Sequence, residues 1–167
     1  MGIATFIAYR KLVLKRPVLS KEEGYTVVPA GYKMQVTVLV RPFEDEESVI
    51  RTLTSCLDKR FEIKLLSVIE PELAPLTGDE RANVETSLKR IARALRSKGY
   101  PVTCEVKEGE FEEVVNDEIV RNDPDFVVYL VRGLRRGMME KASVHDAKIR
   151  SIMSRYPGRV MVLKKES

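Results

Sequence analysis

The sequence predicts an α/β fold with a three-layer, doubly wound, five-stranded parallel sheet. Apolar runs of strand length alternate with segments of helical periodicity from Gln35 onwards. One run, Phe126–Val131, is apolar on both faces, which is typical of a central strand in a parallel sheet. Because strands that alternate with helices join through right-handed crossovers, the ligand crevice is expected beyond the carboxyl ends of the strands.

The first half of the alternation predicts two strands and two helices. Val36–Val40 is a continuous apolar run, and Glu44–Leu57 follows it with apolar residues at helical spacing. Ile63–Ile69 is the second strand. Thr77 and Glu80 then have the spacing of a capping box, which predicts the start of a long helix. Its apolar stripe is Val84, Leu88, Ile91 and Leu95, and Gly99 and Pro101 end it.

The second half predicts the remaining three strands and two helices. Val102–Val106 alternates apolar and polar residues, as an edge strand does, and Phe126–Val131 is the central strand. Ser143 and Asp146 are placed to cap the last helix, and Val160–Leu163 is the last strand. The helical faces consist of Phe111, Val114, Val115 and Ile119 in one helix and Ile149, Ile152 and Met153 in the other.

Composition narrows the classes of function. The 167 residues, 44% of them hydrophobic, suffice for one core, and the net charge of +4 comes from 29 basic against 25 acidic residues. No aromatic residue is interleaved with the arginines that follow Phe126–Val131, so nucleic acid is not expected as a partner. Cys56 and Cys104 form no CxxC pair and His145 is the lone histidine, so we expect reduced core thiols, no metal site and an intracellular setting.

The chain divides into an arm (1–17), a linker (18–33) and a domain (34–167). The arm is apolar from Gly2 to Tyr9 and then basic, an order that opposes a secretory signal, and it is shorter than the roughly 20 residues of a membrane span. Apolar residues followed by lysine and arginine are typical of the cytoplasmic end of a membrane helix. The arm is therefore either the stub of a truncated span or a frayed or domain-packed amphipathic segment.

A basic loop after the fourth strand is the candidate anion site. It lies between a buried strand and a helix start, where charge and helix dipole both favour anions. Arg41, after the first strand, can pair with a phosphate as well. The alternative is a solvated basic loop with ordinary helix capping. The candidate residues of the loop are Arg132, Gly133, Arg135, Arg136, Gly137 and Ser143.

Catalysis is not expected. No GxSxG, HExxH or Walker sequence occurs, and spacing identifies no partner for His145. The acidic run Glu44–Glu47 complements the dipole of the helix that it begins. The same charges repel phosphate, which leaves the loop after the fourth strand as the anion position.

Residues 36–163 resemble a universal stress protein domain of the UspA-like kind, most closely in VKEGEFEEVV, DFVVYLVRGL, ASVHDAKI and RVMVLK. The resemblance implies the strand order 3-2-1-4-5. Nucleotide-binding members of the family are similar to one another in an acidic residue that ends the first strand and in a loop of form G-x-x-G, nine residues, then G-S/T. Here Arg41 stands in place of the acid, Leu130 replaces the first glycine and Gly133 keeps the second. The spacer is one residue short, and Ala142 with Ser143 replaces the last pair.

These departures indicate a degenerate nucleotide site. Leu130 introduces a side chain where glycine would let backbone amides approach a phosphate. Arg41 only donates hydrogen bonds, so it cannot accept one from ribose or adenine.

The last strand predicts a homodimer. Val160, Met161, Val162 and Leu163 are apolar on both faces of a strand that the inferred order places at an edge, where exposed backbone invites pairing with another chain. The family resemblance implies the same contact, in which the last strands of two domains meet.

Together these features favour a non-catalytic, cytoplasmic regulatory or assembly domain without a cofactor. Domains of this kind resemble the soluble tails of amino-acid permeases and related cation-coupled transporters, in which a proline commonly follows the first strand, as Pro42 does here. This resemblance implies a location at the inner face of the membrane. The alternative is a freestanding universal stress protein that binds ATP or another adenine nucleotide. In that case Gly133, Gly137 and Ser143 would cradle the phosphates in another register.

Overall fold

The sheet contains the five predicted strands, all parallel, in the order β3-β2-β1-β4-β5. The computed structural model describes residues 21–22, 25–26, 33–71, 76–131 and 144–165, with side chains for 33–71, 76–131 and 147–165. The strands are β1 (Met34–Leu39), β2 (Phe61–Ile69), β3 (Val102–Glu108), β4 (Phe126–Val131) and β5 (Val160–Lys164), and the helices are α1 (Glu46–Cys56), α2 (Gly78–Ser97), α3 (Phe111–Asn122) and α4 (Val144–Arg155).

This order confirms the doubly wound fold and the strand order 3-2-1-4-5. The predicted edge positions of β3 and β5 are confirmed, and β4 lies inside the sheet between β1 and β5. Element boundaries differ from the predictions by one or two residues, the usual uncertainty of helix and strand ends. Within the predicted linker, Lys21–Glu22 pairs antiparallel with Tyr25–Thr26, which the sequence did not predict.

Helices cover both faces of the sheet. The first face carries Val36, Val38 and Leu65, which pack under α1 and α2. The second face carries Leu39 and Leu66, which pack under α3 and α4. Since each face of a parallel sheet is normally covered, the strands are apolar on both sides where helices lie over them.

The helix ends follow local rules. Thr77 and Glu80 form the predicted capping box: the Glu80 N–H donates to Thr77 Oγ1 over 3.2 Å and the Thr77 N–H donates to Glu80 Oε2 over 2.7 Å. Glu110 caps α3 by accepting from the Glu113 N–H over 2.8 Å. The predicted cap at Ser143 and Asp146 lies outside the described side chains.

Two predicted core positions are wrong. Cys56 is exposed on α1, whereas Cys104 is partly buried against the core of the first face. Met153 is 39% exposed, while Ile149 and Ile152 of the same helix are buried. Cys56 and Met153 both lie near helix ends, where apolar residues at helical spacing are not always covered by another element.

The helices in the described residues are all too short or too polar to span a membrane.

Candidate functional site

The topology places the candidate site where β1 lies between β2 and β4. Crossovers from these strands run in opposite directions, so a crevice forms beyond their carboxyl ends. We call this region the switch-point crevice. Among the described residues it encloses a cavity of about 10 Å³, roughly the space of one water molecule. Its lining is Leu39, Val40, Arg41, Pro42, Leu66, Val68, Phe111 and Tyr129.

A tight turn after β1 directs Arg41 into this crevice. The Glu44 N–H donates to the Arg41 carbonyl over 3.2 Å, which closes a four-residue turn. Pro42 occupies the second position, which its fixed φ favours. Phe43 occupies the third position with a φ of 61° and is 61% exposed. The turn therefore sends Phe43 to the surface and Arg41 inward.

The Arg41 guanidinium binds groups of the chain itself. Arg41 Nη2 donates to the Leu130 carbonyl over 3.2 Å, and Cζ lies 5.7 Å from the centroid of the Tyr129 ring, within cation–π range. Arg41 Nε lies 3.8 Å from Glu44 Oε2 but has no hydrogen-bond partner among the described residues. The cation thus covers the carboxyl end of β4, the position expected for part of a bound ligand.

A buried ion pair lies beside Arg41. Lys165 Nζ contacts Glu44 Oε1, and the two side chains are only 6% and 5% exposed. The Lys165 N–H continues the β5 ladder by donating to the Val131 carbonyl over 2.8 Å. Burial, and secondarily the charge of Arg41, lower the pKa of Lys165. Glu44 therefore contacts two cations, Arg41 and Lys165, and lies before the first turn of α1. Of the predicted acidic run, Glu46 and Glu47 lie in that first turn, where they complement the helix dipole.

A second charged cluster joins α4 to the neighbouring loops. Lys148 Nζ lies 3.0 Å from Glu70 Oε2 and 2.5 Å from Glu110 Oε1. These bonds, first the one to Glu110, raise the pKa of Lys148 despite its partial burial. Burial opposes ionisation of Glu110, but the bond from Lys148 and the bonds from the backbone N–H groups of Glu113 and Glu112 together outweigh it, so the pKa of Glu110 is lowered. The sequence did not predict this cluster; its one signal was Glu70, the first polar residue after an apolar strand.

The described residues supply cations at the crevice but no recognisable catalytic group. No three metal-ligating side chains converge in the described ranges. The candidate loop residues Arg132, Gly133, Arg135, Arg136, Gly137 and Ser143 lie outside the described residues, as does the side chain of His145. Of the predicted anion site, the structure therefore positions Arg41 alone.

The predicted dimer edge is fully described. Val160, Met161, Val162 and Leu163 form most of β5 at one end of the sheet. Met161 is buried at 6% exposure, whereas Val162 is 42% exposed. Met161 and Leu163 pack against the core of the first face and Val160 packs against that of the second, so Val162 is the most exposed of these four residues.

Comparison with known proteins supports the fold. No family model matches the chain, and no curated protein does. Among solved structures, the AMP-bound universal stress protein family protein At3g01520 from Arabidopsis thaliana is similar over 80% of this chain and 93% of its own, with 21% identity and a TM-score of 0.51. The hypothetical protein MJ0577 is similar over 83% of this chain and 99% of its own, with 16% identity and a TM-score of 0.54. The chain therefore has a universal-stress-protein-like fold.

Proposed function

We propose that this domain is a non-catalytic regulatory or assembly module whose nucleotide site is degenerate. The Arg41 guanidinium supports this most strongly, because it lies over Tyr129 and bonds to Leu130 where the crevice would admit a ligand. Among the described residues, the cavity at the crevice has a volume of about 10 Å³, far below the roughly 300 Å³ or more of ordinary ligand pockets. In this proposal, the Arg41 side chain occupies space that a nucleotide would otherwise enter.

The module acts as the cytoplasmic tail of a membrane transporter, at the inner face of the bilayer. The apolar and basic arm at residues 1–17 and Pro42 after β1 support this assignment. Two such domains pair through β5. Regulation then arises if the paired domains bind one conformation of the transporter more tightly than another, since only a differential binding free energy can shift its equilibrium.

A second candidate is a freestanding universal stress protein that binds ATP or another adenine nucleotide. The similar Arabidopsis protein has AMP bound, which favours this candidate. It requires Arg41 to leave Tyr129 and pair with a phosphate, a role that arginine geometry permits. Gly133, Gly137 and Ser143 would then hold the phosphates.

Titration calorimetry separates the two candidates. The full chain is titrated with ATP, AMP and cyclic dinucleotides, beside an Arg41→Ala variant that opens the crevice and an Arg93→Ala variant that removes an exposed arginine of α2. The degenerate site predicts no heat for the parent chain and for Arg93→Ala at millimolar ligand. Micromolar ATP binding that Arg41→Ala weakens would instead establish the second candidate.

The DNA upstream of the Met1 codon tests the transporter assignment independently. An in-phase reading frame that encodes several apolar spans is the expected result. An in-phase stop codon followed by a functional translation start at Met1 would contradict it, whatever the calorimetry shows.

A further inference from the structure

A groove lined by both apolar and polar residues opens at the end of the sheet opposite the switch-point crevice. We call it the amino-end groove, because it lies at the start of β1, β2 and β3 beside the end of α3. Its volume is about 630 Å³, within the range of small-molecule sites. The residues that give it its chemistry are Gln35, Thr37, Glu62, Lys64, Thr103 and Glu118.

At the groove, the starts of the strands carry apolar residues on one face of the sheet and polar residues on the other. On the first face, Val36, Ile63 and Val102 are buried in the core. On the second face, the paired residues Gln35 and Glu62 line the groove instead. Strands of a parallel sheet are normally apolar on both sides because helices cover both faces. Here polar side chains face the groove.

Glu118 of α3 forms the floor of the groove and is 1% exposed. Its Oε1 accepts from Thr37 Oγ1 over 3.1 Å, and its Oε2 accepts from Lys64 Nζ over 3.0 Å and from Asn122 Nδ2 over 2.8 Å. Lys64 Nζ also lies 2.8 Å from Glu105 Oε2. These bonds hold the floor rigid, with both charges compensated.

An apolar pair would hold α3 to the sheet at least as well. Replacing a buried ion pair by packed apolar residues is often neutral or stabilising, because both charges must otherwise be desolvated. Stability alone therefore does not explain the ion pair of Glu118 and Lys64. Its position beside an open groove indicates that these polar groups contribute to binding a ligand.

The groove is balanced in charge. Lys64 and Arg96 provide two positive groups in its lining, and Glu62 and Glu118 provide two negative ones. A ligand with a net charge would lose part of its hydration in the groove, and the lining has no excess of the opposite charge to compensate for that loss. The lining therefore favours a ligand without net charge.

Hydrogen-bonding capacity narrows the ligand further. Within the described part of the chain, the side chains of Gln35, Glu62 and Thr103 have no hydrogen-bond or ion-pair partner, and they combine donors with acceptors. Pro101 and Pro124 add apolar walls. Hydroxyl groups suit this lining because each one can donate and accept a bond. We propose that the amino-end groove binds a neutral polyhydroxylated small molecule, of the polyol or monosaccharide class.

Saturation-transfer NMR and calorimetry on the full chain test the proposal. The probes are myo-inositol, ribose and glucose, with glucose 6-phosphate and glucosamine as charged counterparts. Thr103→Val removes one groove hydroxyl at constant shape and is expected to weaken binding about fivefold, the effect of one lost hydrogen bond. Thr86→Val is the matched control, because Thr86 is exposed on α2 and lies outside the groove.

The expected result is millimolar or tighter binding of at least one neutral probe, weakened by Thr103→Val and by Glu62→Gln but not by Thr86→Val. No binding of any neutral probe, tighter binding of a charged counterpart, or equal effects of the two threonine variants would each overturn the proposal. Nucleotide binding at the switch-point crevice is a separate measurement, so the proposed function can fail without affecting this result.

Discussion

Phe43 adopts a backbone conformation that its side chain disfavours. Its φ of 61° lies in the left-handed region, which costs a residue with a Cβ roughly 1–2 kcal/mol. Because 61% of the residue is exposed, core packing offsets little of this strain. The turn nevertheless directs Arg41 towards Tyr129, so the strained residue supports the conformation of the crevice.

Replacing Phe43 by glycine should stabilise the protein. Glycine adopts a positive φ without strain, and the loss of packing is small, so we expect a gain of about 0.5–1 kcal/mol in the free energy of unfolding. Urea denaturation measures it. Phe43→Ala keeps the Cβ and should give no such gain. A glycine variant less stable than the parent would mean that Phe43 contributes packing beyond its exposed surface.

The chemistry of Arg41 could be predicted from the sequence, but the contacts of its side chain could not. That Arg41 replaces an acceptor by a donor follows from side-chain chemistry alone. Its contact with the Leu130 carbonyl joins residues 89 positions apart, so it depends on the pairing of β1 with β4. A left-handed Phe43 was not predicted either, because glycine or asparagine is the usual residue at this turn position.

At the scale of single elements, α2 is the helix most fully determined by local sequence. The capping box of Thr77 and Glu80 satisfies backbone donors at its start, and Leu88, Ile91 and Leu95 bury its apolar stripe. Both features arise within one segment, so the pattern predicted them without knowledge of the fold.

Thr77→Ala should destabilise the protein by about 1 kcal/mol, because a backbone donor at the helix start loses its side-chain acceptor. Thermal denaturation followed by circular dichroism detects the change. Thr86→Ala, at an exposed site in the interior of α2, is the comparison, and its effect should be within about 0.5 kcal/mol of zero. Equal losses for both variants would show that the cap contributes nothing.

Glu118 illustrates what element-level patterns miss. Helical spacing alone predicts the apolar stripe of α3, with Phe111, Val115 and Ile119. Glu118 lies buried beside that stripe because Thr37 and Lys64, 81 and 54 residues away, supply its partners. A carboxylate so placed cannot be distinguished from a solvated one until the sheet is assembled.

The ionisation of Glu118 should make stability depend on acidity. Burial opposes ionisation, but bonds from Lys64, Asn122 and Thr37 outweigh it and lower the pKa of Glu118 below its ordinary value of 4.5. Because the pKa of Glu118 is lower in the folded than in the unfolded state, its ionisation stabilises the fold. This stabilisation is complete at pH values above the pKa of the unfolded state, and it is lost as the pH falls through the pKa of the folded state.

Glu118→Gln removes this linkage and should destabilise the protein at pH 7 by about 2 kcal/mol, as expected for bonds to a buried charge. Denaturation at a series of pH values measures the difference between parent and variant. That difference should shrink below pH 4.5. A difference that stays constant down to pH 2 would exclude a titrating Glu118. Glu85→Gln, at a half-exposed pair on α2, controls for the loss of one charge.

At the scale of the whole molecule, the alternation of strands and helices was sufficient to predict the class of fold. The order of the strands came from the family resemblance, because no local pattern reveals which strands are neighbours. The amino-end groove was not predicted, because it exists only where α3 meets the starts of three strands that are distant in sequence.

The open edge of the sheet should determine the oligomeric state. Among the described residues, strand β5 pairs with β4 alone, and Val162 of β5 is 42% exposed. Exposed apolar edges pair with other chains unless charge or proline blocks them, and a two-fold axis would let β5 of one copy lie antiparallel to β5 of the next. Val162→Lys should therefore shift the chain from dimer to monomer, as measured by light scattering coupled to size exclusion. The core should stay intact, because Val162 is exposed.

Val120→Lys, on the exposed side of α3 at 64% exposure, should remain dimeric. A parent chain that is monomeric at about 100 μM, well above the dissociation constant of a standard interface, would refute the edge contact.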